Sequence, residues 1–151
     1  MTLRCFVDAP ILIALQDRSE ARKRALARHS LRSVRRNGEL VVSPQVMSEF
    51  YALAARRFPF VSRDVIRDFI GDLMPACRSA SASELMERAF RIEDRFKLEW
   101  RACLTAASAV AADCRYLLSE SLEDGLSIDR TIVINPFATD IETVFTTLKE
   151  R

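Results

Sequence analysis

The chain has 151 residues, the length of a single domain that can bury a sizeable core without staples. Hydrophobic residues make up 49% and charged residues 29%, a balance that excludes disorder as the ground state. Net charge is only +2, but it is unevenly spread. Between residues 18 and 36 stand Arg18, Arg22, Lys23, Arg24, Arg28, Arg32, Arg35 and Arg36 against the single acid Glu20. These eight cations and one acid give that segment a formal +7 and leave −5 for the rest. Such a run is either a solvated helix face or a contact surface for RNA phosphate or an acidic partner segment. Within it, Arg24, Arg28 and Arg32 are the candidate contact residues.

No apolar run approaches the roughly 20 residues needed to span a bilayer. The N-terminal stretch meets Asp8 too soon for a signal peptide, so a cytoplasmic location without a membrane partner is expected. Cys5, Cys77, Cys103 and Cys114 form no C-x-x-C pair, and His29 is the lone histidine. A structural zinc is therefore not expected, and the thiols read as reduced, mostly buried small hydrophobes. Gly38, Gly71 and Gly125 lie too far apart to write a phosphate-cradling loop.

In chain order, Leu3 to Val7 reads as a buried strand ending at Asp8. Pro10 follows in the first turn of a helix, where its missing N–H does no harm. A second helix is expected from about Ser19, taken as its N-cap, to Arg36, with Asn37-Gly38 closing it. Leu40 to Val42 is a second short strand. Ser43-Pro44 then opens a helix that buries Val46, Phe50 and Leu53, with Glu49 beside the stripe. Ser62 caps the next helix, whose apolar face is Val65, Ile66, Phe69, Ile70 and Leu73, and Pro75 ends it. Residues 76 to 80 read as a short strand. Helices follow from Ser83 and from near Trp100, the latter small-residue-rich and close to the core. Tyr116 to Leu118 is a third strand, 119 to 125 a loop, and Thr131 to Ile134 a fourth strand ending at Asn135-Pro136. A last helix from Asp140 carries Ile141, Val144, Phe145 and Leu148 on one face, with Thr139 and Glu142 at capping-box spacing. This stripe suits packing within the chain or across an interface.

Strands alternating with helices predict an α/β domain, a mainly parallel sheet of four to five short strands flanked by helices. In such a sheet ligands bind beyond the C-terminal strand ends. Asp8 and the segment Ser119-Glu120-Ser121 lie at that edge, and Glu49 can reach it. Carboxylates converging there suit a hard cation such as Mg²⁺ or Mn²⁺.

Five segments carry a family resemblance. They are Phe6-Val7-Asp8, Val46-Met47-Ser48-Glu49-Phe50, Leu98-Glu99-Trp100-Arg101-Ala102, Leu117 to Gly125, and Ile134-Asn135-Pro136-Phe137. In order and spacing they resemble the PIN domain of VapC-type toxins, over residues 3 to 137. The resemblance implies a PIN-like domain at 1–137, with 138–151 as a helical extension of it. It also implies a Mg²⁺- or Mn²⁺-dependent endoribonuclease with four acidic positions, an antitoxin partner and a homodimer. Asp8 matches the first acid and Glu49 the second. Arg101 stands where the third is expected, and Ser121 where the fourth is. The position after the first aspartate also departs, with Ala9 and Pro10 in place of a hydroxyl residue and asparagine. The site's formal charge falls from −4 to −1, so metal binding is expected to be weak or absent, with Arg101 able to take the cation's place on Asp8 or Glu49. Asp124 is the candidate substitute acid, whereas strand alternation points Glu120 away from the edge. The reading that follows is a weak or inactive nuclease that binds RNA or an antitoxin-like partner, with an active ribonuclease toxin as the alternative. Each site residue also has a plain structural account: Asp8 as a helix cap, Glu49 as a surface acid, Arg101 as a solvent-facing cation.

Overall fold

The computed structural model describes residues 2–150. In chain order the elements are β1 (Leu3–Val7), α1 (Ala9–Gln16), α2 (Ala21–Asn37), β2 (Gly38–Val41), α3 (Pro44–Arg57), α4 (Arg63–Leu73), α5 (Ala82–Phe96), α6 (Trp100–Ala111), β3 (Tyr116–Leu118), β4 (Ser127–Ile128), β5 (Thr131–Ile134) and α7 (Ile141–Lys149). A 3-10 turn over Met74–Ala76 follows α4. The five strands form one sheet in the order β2-β1-β3-β5-β4. β1 pairs in parallel with β2 and β3, and β3 with β5; only β4 runs antiparallel, against β5.

Cys5, Phe6 and Val7 of β1 and all of β3 are buried, so the central strands are covered on both faces. Ala27, Leu31 and Val34 form the buried stripe of α2 at helical spacing. Small side chains bury α6 on several sides at once, with Cys103, Ala106, Ala107 and Ala109 inaccessible or nearly so. The four cysteines are free thiols, and burial pushes Cys5 and Cys114 up to about 12. No helix among the described residues is long and apolar enough to cross a membrane.

Local capping chemistry sets most helix starts. The hydroxyls of Ser43 and Ser62 accept from the Val46 and Asp64 amides, as expected from sequence. Three starts differ. Ser19 does not cap α2, because both its hydroxyl and its amide donate to Asp17 in a tight turn. Ser81, not Ser83, caps α5, accepting from the Glu84 amide. Asp140, not Thr139, caps α7, because the Thr139 hydroxyl is committed to Asp124.

The stretch at 76 to 80 makes only an isolated bridge from Cys77 to Val42, since Ala76 is held in the 3-10 turn and the backbone bonds to Val42 stop at Arg78. The fifth strand is instead β4, joined to β5 by a two-residue turn with Asp129 at φ 52°. Val65 is exposed, because α4 buries chiefly Ile66 and Leu73. Ile141 and Phe145 of α7 are buried within the chain, with the Phe145 ring edge-on to Tyr116 at 5.9 Å. Arg36–Glu142 and His29–Asp140 pairs tie α7 to α2.

Candidate functional site

Asp8 follows the last residue of β1 and starts α1. Its Oδ1 accepts from the Ala9 amide at 2.8 Å, and its Oδ2 accepts from the Ser119 hydroxyl at 2.9 Å. The side chain is almost fully buried, and burial raises its pKa above the usual carboxylate value. The hydrogen bonds from Ser119 and Ala9 and the charge of Arg101 act in the opposite direction, and Glu120 adds to the rise. Asp8 therefore both caps a helix and faces the charges of this edge.

Glu49 projects from the second turn of α3, and Arg101 from the first turn of α6. The two form an ion pair, Arg101 Nη1 to Glu49 Oε1. Both line a cleft of about 610 Å³, with Pro10, Ile13, Ala14 and Leu53 as its apolar wall. Its charged rim carries two further ion pairs, Lys23–Glu120 at 2.9 Å and Arg57–Asp17 at 2.7 Å. The Ser19 hydroxyl and then the Arg57 guanidinium lower the Asp17 pKa from its ordinary value.

The structure thus brings Glu49 and Arg101 together and sets Asp8 within the electrostatic reach of Arg101. It does not bring Ser121 or Asp124 into the cleft. Ser121 is exposed, and its amide donates to the Ser119 hydroxyl. Asp124 is taken up by the segment that follows β5, accepting from the Asn135 amide at 2.8 Å and the Thr139 hydroxyl at 2.6 Å. Glu120 corrects the sequence-based expectation that it points away. The strand stops at Leu118 and the chain bends, so two-residue alternation no longer applies and Glu120 joins the cleft wall. The sequence offered one signal for it, the adjacency of Glu120 to the end of β3.

Do these residues fit a divalent cation? Among the described residues no group of three or more His, Cys, Asp or Glu stands close enough to hold a metal ion. Asp8 already spends one contact on each oxygen, and a guanidinium sits on Glu49. Mg²⁺ requires several oxygens in near-octahedral array, so this donor set does not fit it.

On α2, Arg28 and Arg32 are exposed and form no ion pair among the described residues. Arg24 is half-buried, and its Nε donates to the Leu15 carbonyl at 3.4 Å. A second, apolar groove of about 910 Å³ runs beside the cleft, lined by Phe50, Phe58, Phe60, Val65 and Phe69. Phe60 is fully exposed there.

No family model and no curated protein matches the sequence. Solved structures do match in shape. A chain of a toxin-antitoxin complex from Klebsiella pneumoniae superposes with TM-score 0.63 at 16% identity, over 87% of this chain and 97% of that one. VapC20 of Mycobacterium tuberculosis, a sarcin-ricin loop cleaving toxin, gives TM-score 0.56 at 18% identity, over 75% of this chain and 86% of its own. The chain has the PIN fold of VapC toxins. VapBC2 from Rickettsia felis, solved bound to a DNA fragment from its promoter, gives TM-score 0.59 at 13% identity, over 87% of this chain and 97% of that one. In this PIN-fold chain the residues expected at the acidic edge are Asp8, Glu49, Arg101 and Ser121, and the first three are those that the fold gathers.

Proposed function

We propose that this VapC-like protein is a weak or inactive nuclease that acts in the cytoplasm by binding RNA or an antitoxin-like partner. The observation that carries the reading is the Arg101–Glu49 ion pair, a cation built into the chain where carboxylates would otherwise await a metal. Support for an antitoxin-like partner comes from two fold neighbours solved as toxin-antitoxin assemblies, and from the apolar groove beside the cleft. Support for RNA comes from the exposed Arg28 and Arg32. A homodimer, with residues 138–151 as part of each domain, completes the reading.

One assay tests it. Purified protein is incubated with structured RNA and Mn²⁺, beside an Asp8→Asn control. Equal background in both is the expected result; cleavage that the control loses establishes an active enzyme instead. That second reading, a Mg²⁺- or Mn²⁺-dependent endoribonuclease toxin, is favoured by the position of Glu120, which supplies a third acid to the edge once Lys23 lets go. Charge reversal of Arg24, Arg28 and Arg32 addresses the basic helix. If every bound RNA or partner is retained, that helix is only a solvated face.

A further inference from the structure

We infer that Arg101, seated on Glu49 in the cleft it shares with Arg56, binds a phosphodiester group of RNA directly, without a metal ion. The inference rests on the RNA-binding reading above and names its contact. A divalent cation at such an edge would join protein carboxylates to phosphate oxygens. A guanidinium has the donors to do both, because it carries five N–H groups in a planar fork that matches phosphate. In the ion pair with Glu49, one nitrogen of Arg101 meets one carboxylate oxygen. The Arg101 side chain is 41% exposed against 17% for Glu49, so the carboxylate anchors from beneath and the guanidinium opens to the cleft.

The rest of the rim narrows the choice of cation. Lys23 and Arg57 are engaged by Glu120 and Asp17. Arg56 is exposed on the same rim and forms no ion pair among the described residues. It is therefore available as a second donor. Glu20 is the one rim acid without a cation in contact among the described residues, and it opposes an incoming anion. A volume of about 610 Å³ with an apolar wall lies in the range of small-ligand sites. It suits a nucleotide unit, whose base would rest on Ile13 and Leu53, better than a helical peptide.

The test is fluorescence anisotropy of a labelled single-stranded RNA oligonucleotide with the full chain in excess EDTA. Wild type is expected to bind. Arg101→Met is expected to lose about tenfold or more in affinity, the loss of charge-assisted hydrogen bonds. Its salt slope should flatten by about 0.7 for the lost phosphate contact. Arg101→Lys should recover part of the affinity, while Glu20→Gln should hold or tighten it, which a merely structural role for Arg101 would not produce. Inorganic phosphate should compete at high concentration. The inference is overturned if binding appears only with Mn²⁺, if folded Arg101→Met binds as wild type does, or if polyglutamate displaces RNA charge for charge. RNA cleavage in Mn²⁺ would sink the weak-nuclease reading while leaving the EDTA result standing.

Discussion

The Ser119 hydroxyl donates to the Asp8 carboxylate at 2.9 Å, bridging the C-terminal ends of β1 and β3. Both groups are buried. Ser119→Ala removes the donor and leaves Oδ2 of a buried carboxylate without a partner. The expected loss is about 1–3 kcal/mol, read from urea denaturation. A change within a few tenths would mean that water reaches Oδ2.

Asp8 itself makes stability depend on pH. Burial raises its folded-state pKa above the ordinary 3.8, so the folded chain holds this proton more tightly than the unfolded chain does. Its contribution to stability is thus present at low pH and lost as pH rises from that ordinary value through the raised one. Asp8→Asn removes the ionisation. The variant should melt near wild type at about pH 3 and above it at about pH 7. A variant that melts below wild type at the higher pH would show that the bonds from Ala9 and Ser119 outweigh the cost of burial.

Arg101 and Glu49 should couple weakly in a double-mutant cycle. With the arginine 41% exposed, about 1 kcal/mol or less is expected between Arg101→Met and Glu49→Gln. A coupling several-fold larger would place the pair in a drier setting than the cleft provides.

Gly38 and Gly71 should respond in opposite directions to alanine. A Cβ on Gly38 would lie 2.2 Å from the Leu3 carbonyl oxygen, where β2 runs beside β1. Gly38→Ala should cost at least about 1–3 kcal/mol, the range for overpacking. Gly71 lies within α4 with nothing within 4 Å of an added Cβ. Gly71→Ala should therefore stabilise by about 0.4–1 kcal/mol. Thermal melts of the two variants decide both.

Phe145→Ala should cost about 3–5 kcal/mol, because the ring is fully buried against Tyr116. A two-state melt with an unchanged midpoint would mean that α7 is only an appendage.

Features governed by neighbouring residues were readable in the sequence. The strand Leu3 to Val7, the Ser43-Pro44 helix start and the Ser62 cap all follow from contacts within a few positions. The meeting of Glu49 with Arg101 was readable only through a family register, since the two are far apart in the chain. Tertiary competition hid the rest. Thr139 and Asp140 both carry a capping oxygen, and the distant Asp124 decides between them by taking the Thr139 hydroxyl. Strand periodicity mispredicts Glu120 because it holds only as far as Leu118, two residues earlier. β4 is two residues long, too short for any periodic signal to reveal it.

That small strand and its counterpart across the sheet set how much strand edge the molecule leaves open. β4 ends the ladder on one side after two residues, and on the other side the Val42–Cys77 bridge lies beside the far end of β2. On the β4 side only two residues are offered to a foreign strand, which blunts edge-to-edge aggregation there. Strand addition is then left to the outer edge of β2, which pairs only with β1 among the described residues.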